Sequence, residues 1–157
     1  MAAKKKTPNQ PRYDQPIPAA PADVPLVTDP LGKRLFYGGA GLLFVLCLSL
    51  YVSTMEPSSP FWDSGEFIAS AYILGIPHAP CTPLYVLVGR VFTLLPLPFS
   101  IAGRVNFISA LTAALGVLFV YFLAVRLLDA VLGRSRSTVD TVIKLAGALV
   151  GTLFLAF

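Results

Sequence analysis

The chain has 157 residues, 55% of them hydrophobic and only 13% charged, with a formal net charge of +4 and a mean hydropathy of +0.73. A charged share about half that of soluble domains excludes an ordinary soluble globule. The excess of positive charge does not indicate a nucleic-acid partner. Lys4, Lys5, Lys6, Arg12, Lys33 and Arg34 precede the first apolar block, and Arg126, Arg134, Arg136 and Lys144 lie between the last two, as expected of segments kept on the cytoplasmic side of a membrane.

Residues 1–34 read as a Pro-rich, disordered cytoplasmic tail. Prolines 8, 11, 16, 18, 21, 25 and 30, spaced by Ala, Gln and Asp, leave too little apolar surface to bury a core. The polar lead is too long for the basic region of a signal peptide, so the first apolar block is read as an uncleaved signal anchor. That block, residues 35–54, is uncharged over 20 residues. At about 1.5 Å of rise per residue it crosses a hydrocarbon core of about 30 Å. In lipid only a helix satisfies its own backbone, so this is the first predicted transmembrane helix. A second uncharged block, Phe107–Val125, predicts another over residues 106–126. A basic cytoplasmic loop, 127–141, follows. Residues 142–157 begin a third span, and the chain stops inside that apolar run. We therefore read it as the N-terminal piece of a longer protein.

Between the first two spans, residues 55–105 form a loop that the charge pattern places outside the cytoplasm. Two short helices are predicted in it, near 64–74 and 84–95. Gly75 and Pro77 end the first, and Pro83 opens the second. The run Leu84–Leu95 is only twelve residues long, contains Arg90 and ends at Pro96. It is read as a helix lying along the membrane surface rather than crossing it. The fold class that results is all-α: multi-pass transmembrane helices with an extracytoplasmic first loop carrying short interfacial helices. Cys47 falls in a span and Cys81 in the loop, so no internal disulfide is expected.

The loop also holds the residues with chemical potential. Asp63 and Glu66 are spaced i, i+3 at a helix start. This suits a capping box, and equally a pair of carboxylates on one face beside the interfacial Trp62, placed to meet a lipid-borne substrate as general base. Arg90 and Arg104 fit either snorkelling and span-end roles or the binding of a phosphate by charge-assisted hydrogen bonds. His78 is the sole histidine, in a turn between prolines, and with no second histidine no metal site is expected. Asn106 opens the second span, as a helix cap or a polar contact. No phosphate-binding glycine loop, nucleophile elbow or zinc spacing is present.

The stretch Phe61-Trp62-Asp63-Ser64-Gly65-Glu66-Phe67-Ile68-Ala69-Ser70-Ala71-Tyr72, continuing through Gly75, His78-Ala79-Pro80-Cys81-Thr82-Pro83-Leu84, Gly89-Arg90 and Asn106-Phe107-Ile108-Ser109-Ala110, resembles the N-terminal region of a domain-of-unknown-function family of bacterial multi-pass membrane proteins. That family has a vertebrate relative acting as a protein O-mannosyltransferase and is similar to the GT-C glycosyltransferases. The resemblance covers roughly residues 50 to 128. It implies an acidic active-site residue in the first external loop, by position Asp63 with Glu66 beside it, and a polyprenyl-phosphate sugar as donor. No other cofactor is implied, and metal dependence is left open. Its implied partners are the lipid bilayer, the lipid-linked donor and an acceptor protein or glycan. Trp62, His78, Arg90, Arg104 and Asn106 become candidate substrate contacts. The family turn reads His-Pro-Pro-Gly where this chain has His78-Ala79-Pro80-Cys81, and a glycine needing positive φ there would leave Cys81 strained. Two other readings stand beside this one. A transporter or flippase segment would place ionisable residues inside its spans, and the two complete spans have none. A non-catalytic anchor would work through the Pro-rich tail.

Overall fold

The computed structural model describes residues 30–59, 62–79, 82–133, 135 and 137–157. These form five helices: α1 (Pro30–Thr54), α2 (Ser64–Ile73), α3 (Pro83–Leu94), α4 (Ile101–Leu132) and α5 (Thr138–Ala156). Three of them, α1, α4 and α5, are long and apolar enough to cross a membrane, and the chain is an integral membrane protein. The proposed tail lies outside the described residues as far as residue 29. Its last part does not: Pro30 begins α1, so Lys33 and Arg34 are helical. Proline suits a first-turn position, where its missing N–H would have had no partner.

The three long helices pack on one another. α1 contributes a stripe of Phe36, Ala40, Leu43 and Cys47, α4 contributes Ala114, Tyr121 and Val125, and α5 contributes Leu145 and Ala148. The four-residue and three-residue steps along α1 keep one face inward. The outward faces are apolar as well, with Leu42, Phe119 and Phe154 all exposed. That pattern suits lipid as the outer solvent rather than water. The Tyr51 hydroxyl donates to the Ala156 carbonyl at 3.0 Å, so the C-terminal ends of α1 and α5 lie together. The two helices run parallel, with α4 antiparallel between them. Lys33, Arg34, Arg126 and Lys144 consequently gather at one end of the bundle, and the loop carrying α2 and α3 leaves from the other.

α4 is longer at both ends than the apolar block suggests. Ser100 caps it, its hydroxyl accepting from the Gly103 N–H at 3.1 Å, which moves its start ahead of Asn106. At the far end the helix continues through Arg126 to Leu132. Lys144, expected near the loop, lies in the second turn of α5 and is 9% exposed. Its ammonium donates to Asp129 Oδ1 at 2.9 Å and to the Gly133 carbonyl, closing the α4–α5 corner.

α2 and α3 form a hairpin against the start of α4, around Ala71, Val105 and Ile108. α3 is twelve residues, about 18 Å, and so too short to span. Its outer face carries Leu84, Leu87, Val91 and Leu94, all exposed. The crossing of α2 and α3 depends on Gly89, where an added Cβ would lie 2.6 Å from Ala71 Cβ.

Two outcomes follow for stability in detergent micelles. Gly89→Ala forces the α2–α3 hairpin apart, at a cost of about 1–3 kcal/mol, visible as an earlier transition in SDS titration. Lys144→Met strands the Asp129 carboxylate and costs about 3 kcal/mol, most of which the pair Lys144→Met, Asp129→Leu restores. A double variant no better than the single would show that the ion pair is not what closes the corner.

Candidate functional site

The loop is first tied to α4. Asn106 donates through Nδ2 to the carbonyls of Glu56 (2.9 Å) and Ser58 (3.0 Å), and the Ser100 hydroxyl donates to the Pro57 carbonyl at 2.9 Å. Asn106 is therefore neither the start nor the cap of its helix. It sits in the second turn and staples the descending chain. The strap also presses on α2, since a Cβ on Gly65 would lie 2.7 Å from the Ser59 hydroxyl.

At the start of α2 the chain turns sharply. Trp62 has φ +65°, uncommon for a bulky residue, and is 94% exposed. Asp63 occupies the N-cap position but makes no side-chain capping hydrogen bond. Glu66 does not reach back to it. The Glu66 Oε1 accepts the backbone N–H of His78 at 2.7 Å, and Oε2 lies 2.8 Å from His78 Nδ1. The capping-box reading is thus corrected: a partner twelve residues away takes both oxygens of the glutamate. His78 Nε2 in turn faces Asp63 Oδ2 at 3.7 Å. The Asp63 carboxylate remains 57% exposed.

The turn after α2 makes this possible. α2 ends with Leu74, not Gly75, in the left-handed conformation (φ +57°, ψ +39°), and the N–H groups of Leu74 and Gly75 both donate to the Ser70 carbonyl. From there to Glu66 is eight residues of helix, about 12 Å. Four extended residues, 75–78, reach about that far. The proline-rich turn is an extended return that sets His78 beside Glu66. Phe67, one residue on, packs against His78 (5.8 Å between ring centroids) and edge-on against Tyr85 (5.7 Å).

The electrostatics follow from these contacts. The His78 side-chain hydrogen bond, then its backbone N–H, hold Glu66 below its ordinary value of 4.5. The Glu66 hydrogen bond, then the charges of Glu66 and Asp63, hold His78 above 6.5. Asp63, Glu66 and His78 each offer one ligand atom, all within 4.8 Å of one another. Two carboxylates and an imidazole at that spacing form a donor set of the kind a divalent cation takes.

The arginines are not part of this cluster. The Arg90 guanidinium donates to the Tyr72 carbonyl and lies 5.6 Å over that ring, at the other end of α2, about 13 Å from Asp63 by helix rise. Arg104 donates to the carbonyls of Phe99 (3.1 Å) and Thr93 (3.0 Å), fastening the α3–α4 corner. A cleft of about 310 Å³ opens between α2, α3 and α4, lined by Ser64, Phe67, Thr82, Tyr85, Asn106 and Ser109. Of these, only Asn106 was singled out from the sequence. Ser109 follows it by one turn on the same face of α4, which is the signal that was there to find. An apolar groove of about 420 Å³ lies along Ile76, Pro77 and Leu87. Of the two departures from the family turn, Ala79 is described, and Cys81, the second cysteine, falls outside the described residues with Pro80.

Residues 63–157 match the family described as the protein O-mannosyl-transferase TMEM260 N-terminal domain. Protein O-mannosyl-transferase tmem260 of Dictyostelium discoideum is 33% identical over 82 residues, 51% of this chain and 10% of that relative. Protein O-mannosyl-transferase TMEM260 of Mus musculus is 33% identical over 90 residues, 57% of this chain and 13% of its own length. The chain thus spans about a tenth of the length of these curated relatives. No solved structure matches it.

The Glu66–His78 pair has a defined pH window. The part due to His78 is complete below its unfolded value of 6.5 and is lost as pH rises through its raised folded value. The part due to Glu66 is complete above 4.5 and is lost as pH falls through its lowered folded value. The attachment is therefore strongest between those two unfolded values. With one histidine in the chain, NMR titration in micelles reads it directly. The wild type titrates above 6.5 and Glu66→Gln moves the midpoint down; an unmoved midpoint would contradict the pairing.

Proposed function

Because the chain belongs to the protein O-mannosyl-transferase TMEM260 N-terminal domain family, we propose that it supplies the first extracytoplasmic loop of a membrane glycosyltransferase. On this reading the enzyme moves a mannosyl group from a polyprenyl-phosphate donor to a protein hydroxyl. The relatives' names support the sugar and the acceptor class. The gathering of Lys33, Arg34, Arg126 and Lys144 at the end of the bundle away from the loop supports the orientation.

The observation that carries the chemistry is the division of labour between the two acids. Glu66 has both oxygens on His78 and a lowered pKa, which makes it a poor proton acceptor. Asp63, one helical turn back, makes no cap bond and stays open to solvent. Asp63 is the general base. Its carboxylate takes the proton of the acceptor hydroxyl as that oxygen forms a bond to the anomeric carbon. The bond from that carbon to the donor's phosphate oxygen breaks, and the polyprenyl phosphate leaves with the electron pair. Glu66 and His78 hold the α2 start in place, with His78 Nε2 turned toward the Asp63 carboxylate. A divalent cation on the three side chains would add charge stabilisation for the departing phosphate. Trp62, exposed beside Asp63, is placed to meet a substrate at the membrane surface.

In membranes expressing the full open reading frame, Asp63→Asn should lower transfer from polyprenyl-phosphate mannose by at least about 10²-fold, the usual span of general base catalysis. Glu66→Gln and His78→Ala should lower it less, because each removes a support and leaves the base. Undiminished transfer in Asp63→Asn would end its assignment as base.

A further inference from the structure

We propose that the cleft between α2, α3 and α4 is the subsite for the sugar ring of the donor, an assignment that rests on the glycosyl-transfer reading above. The cleft's volume of about 310 Å³ is at the small end of ligand pockets, which run from about 300 to 1,000 Å³. It suits a single hexose better than a polyprenyl chain or a peptide.

Its chemistry narrows the occupant further. Ser64, Thr82, Tyr85 and Ser109 bring hydroxyls, Asn106 brings a carboxamide, and no lining residue is charged. A phosphate would leave its charge uncompensated there, whereas a neutral polyol meets groups that both donate and accept. The Asn106 Nδ2 is spent on the Glu56 and Ser58 carbonyls, so its remaining polar atom, Oδ1, is an acceptor for a sugar hydroxyl. The Tyr85 phenol can both donate and accept. Phe67 and Tyr85, packed edge to face, give the cleft an apolar wall for the C–H face of a pyranose.

Position agrees with chemistry. Ser64 follows Asp63 directly. Phe67 lines the cleft and also packs against His78. A ring seated in the cleft therefore lies against Ser64 and Phe67, which adjoin the cluster that holds the proposed base. The neighbouring groove of Leu74, Ile76, Pro77, Val86 and Leu87 is apolar and cannot satisfy a sugar's hydroxyls. The two cavities divide as a glycolipid divides, with the polyol in one and the apolar part outside it.

The test uses the full-length protein in nanodiscs and two probes, farnesyl-phosphate mannose and farnesyl phosphate, read by calorimetry. Tyr85→Phe and Ser109→Ala should each weaken binding of the sugar-bearing probe by about threefold to tenfold, as for one uncharged hydrogen bond. Binding of farnesyl phosphate should not move. Ser109→Phe, which fills the cleft, should erase the preference for the sugar-bearing probe while the sugarless one still binds, showing that the variant is folded. Equal weakening of both probes, or no change in either, overturns the subsite, and the loss of transfer in Asp63→Asn would still stand. Wild-type protein that prefers neither probe and transfers no sugar overturns the glycosyl-transfer reading itself, and the subsite with it.

Discussion

Backbone hydrogen bonding in lipid is the constraint on which the whole arrangement depends. Inside the hydrocarbon every N–H and C=O must find its partner within its own helix, so α1, α4 and α5 are long and regular, with their charged residues toward their ends. Irregular chain is confined to where water can reach it. All the left-handed residues other than glycine among the described residues, Trp62 and Leu74, lie in the loop between α1 and α4. The two acids and the histidine lie there as well. The membrane has sorted the protein into a regular part that holds and an irregular part that can do chemistry.

Within the loop, local choices at α2 propagate outward. A capping Glu would have completed the helix start and left His78 alone. By giving both oxygens to His78, Glu66 couples the start of α2 to the turn beyond its end. That coupling needs the left-handed Leu74 and the extended return through Pro77. It leaves the N-cap Asp63 without its usual partner. A small loss in helix capping, typically about 1 kcal/mol, accompanies the carboxylate of the cluster that makes no cap bond and is the more exposed of the two.

Much of this was legible in the sequence, and the remainder has an identifiable physical reason. Uncharged blocks of about twenty residues announced the first two spans, because hydropathy and helix rise are local properties. Pro83 marked the start of α3 for the same reason. Helix ends were less legible. Ser100 and not Asn106 caps α4, and Lys33 and Arg34 belong to α1, because charged residues near a bilayer surface are as compatible with helix as with loop. Side-chain partners were the least legible. Glu66 to His78, Asn106 to Glu56 and Lys144 to Asp129 span twelve, fifty and fifteen residues. No spacing rule for a single helix reaches across a turn. The arginines illustrate the same limit: their charge was evident, but the backbone carbonyls that occupy them come from other elements.

The length of α4 has a consequence of its own. At 32 residues it is about 48 Å long, against about 37 Å for α1 and 28 Å for α5, and a hydrocarbon core of about 30 Å. The surplus cannot all be hidden by tilt, so α4 stands proud of the bilayer like a mast. Its cap Ser100 and its first turns, which carry Arg104, Asn106 and Ser109, hold the loop at that height. Membrane thickness then sets the depth of the cluster. In a thick, sterol-rich bilayer the hydrocarbon climbs toward Trp62 and the apolar face of α3, and in a thin one it recedes from them. The compartment in which the protein resides would thereby tune how wet its acidic residues are, without any change in sequence.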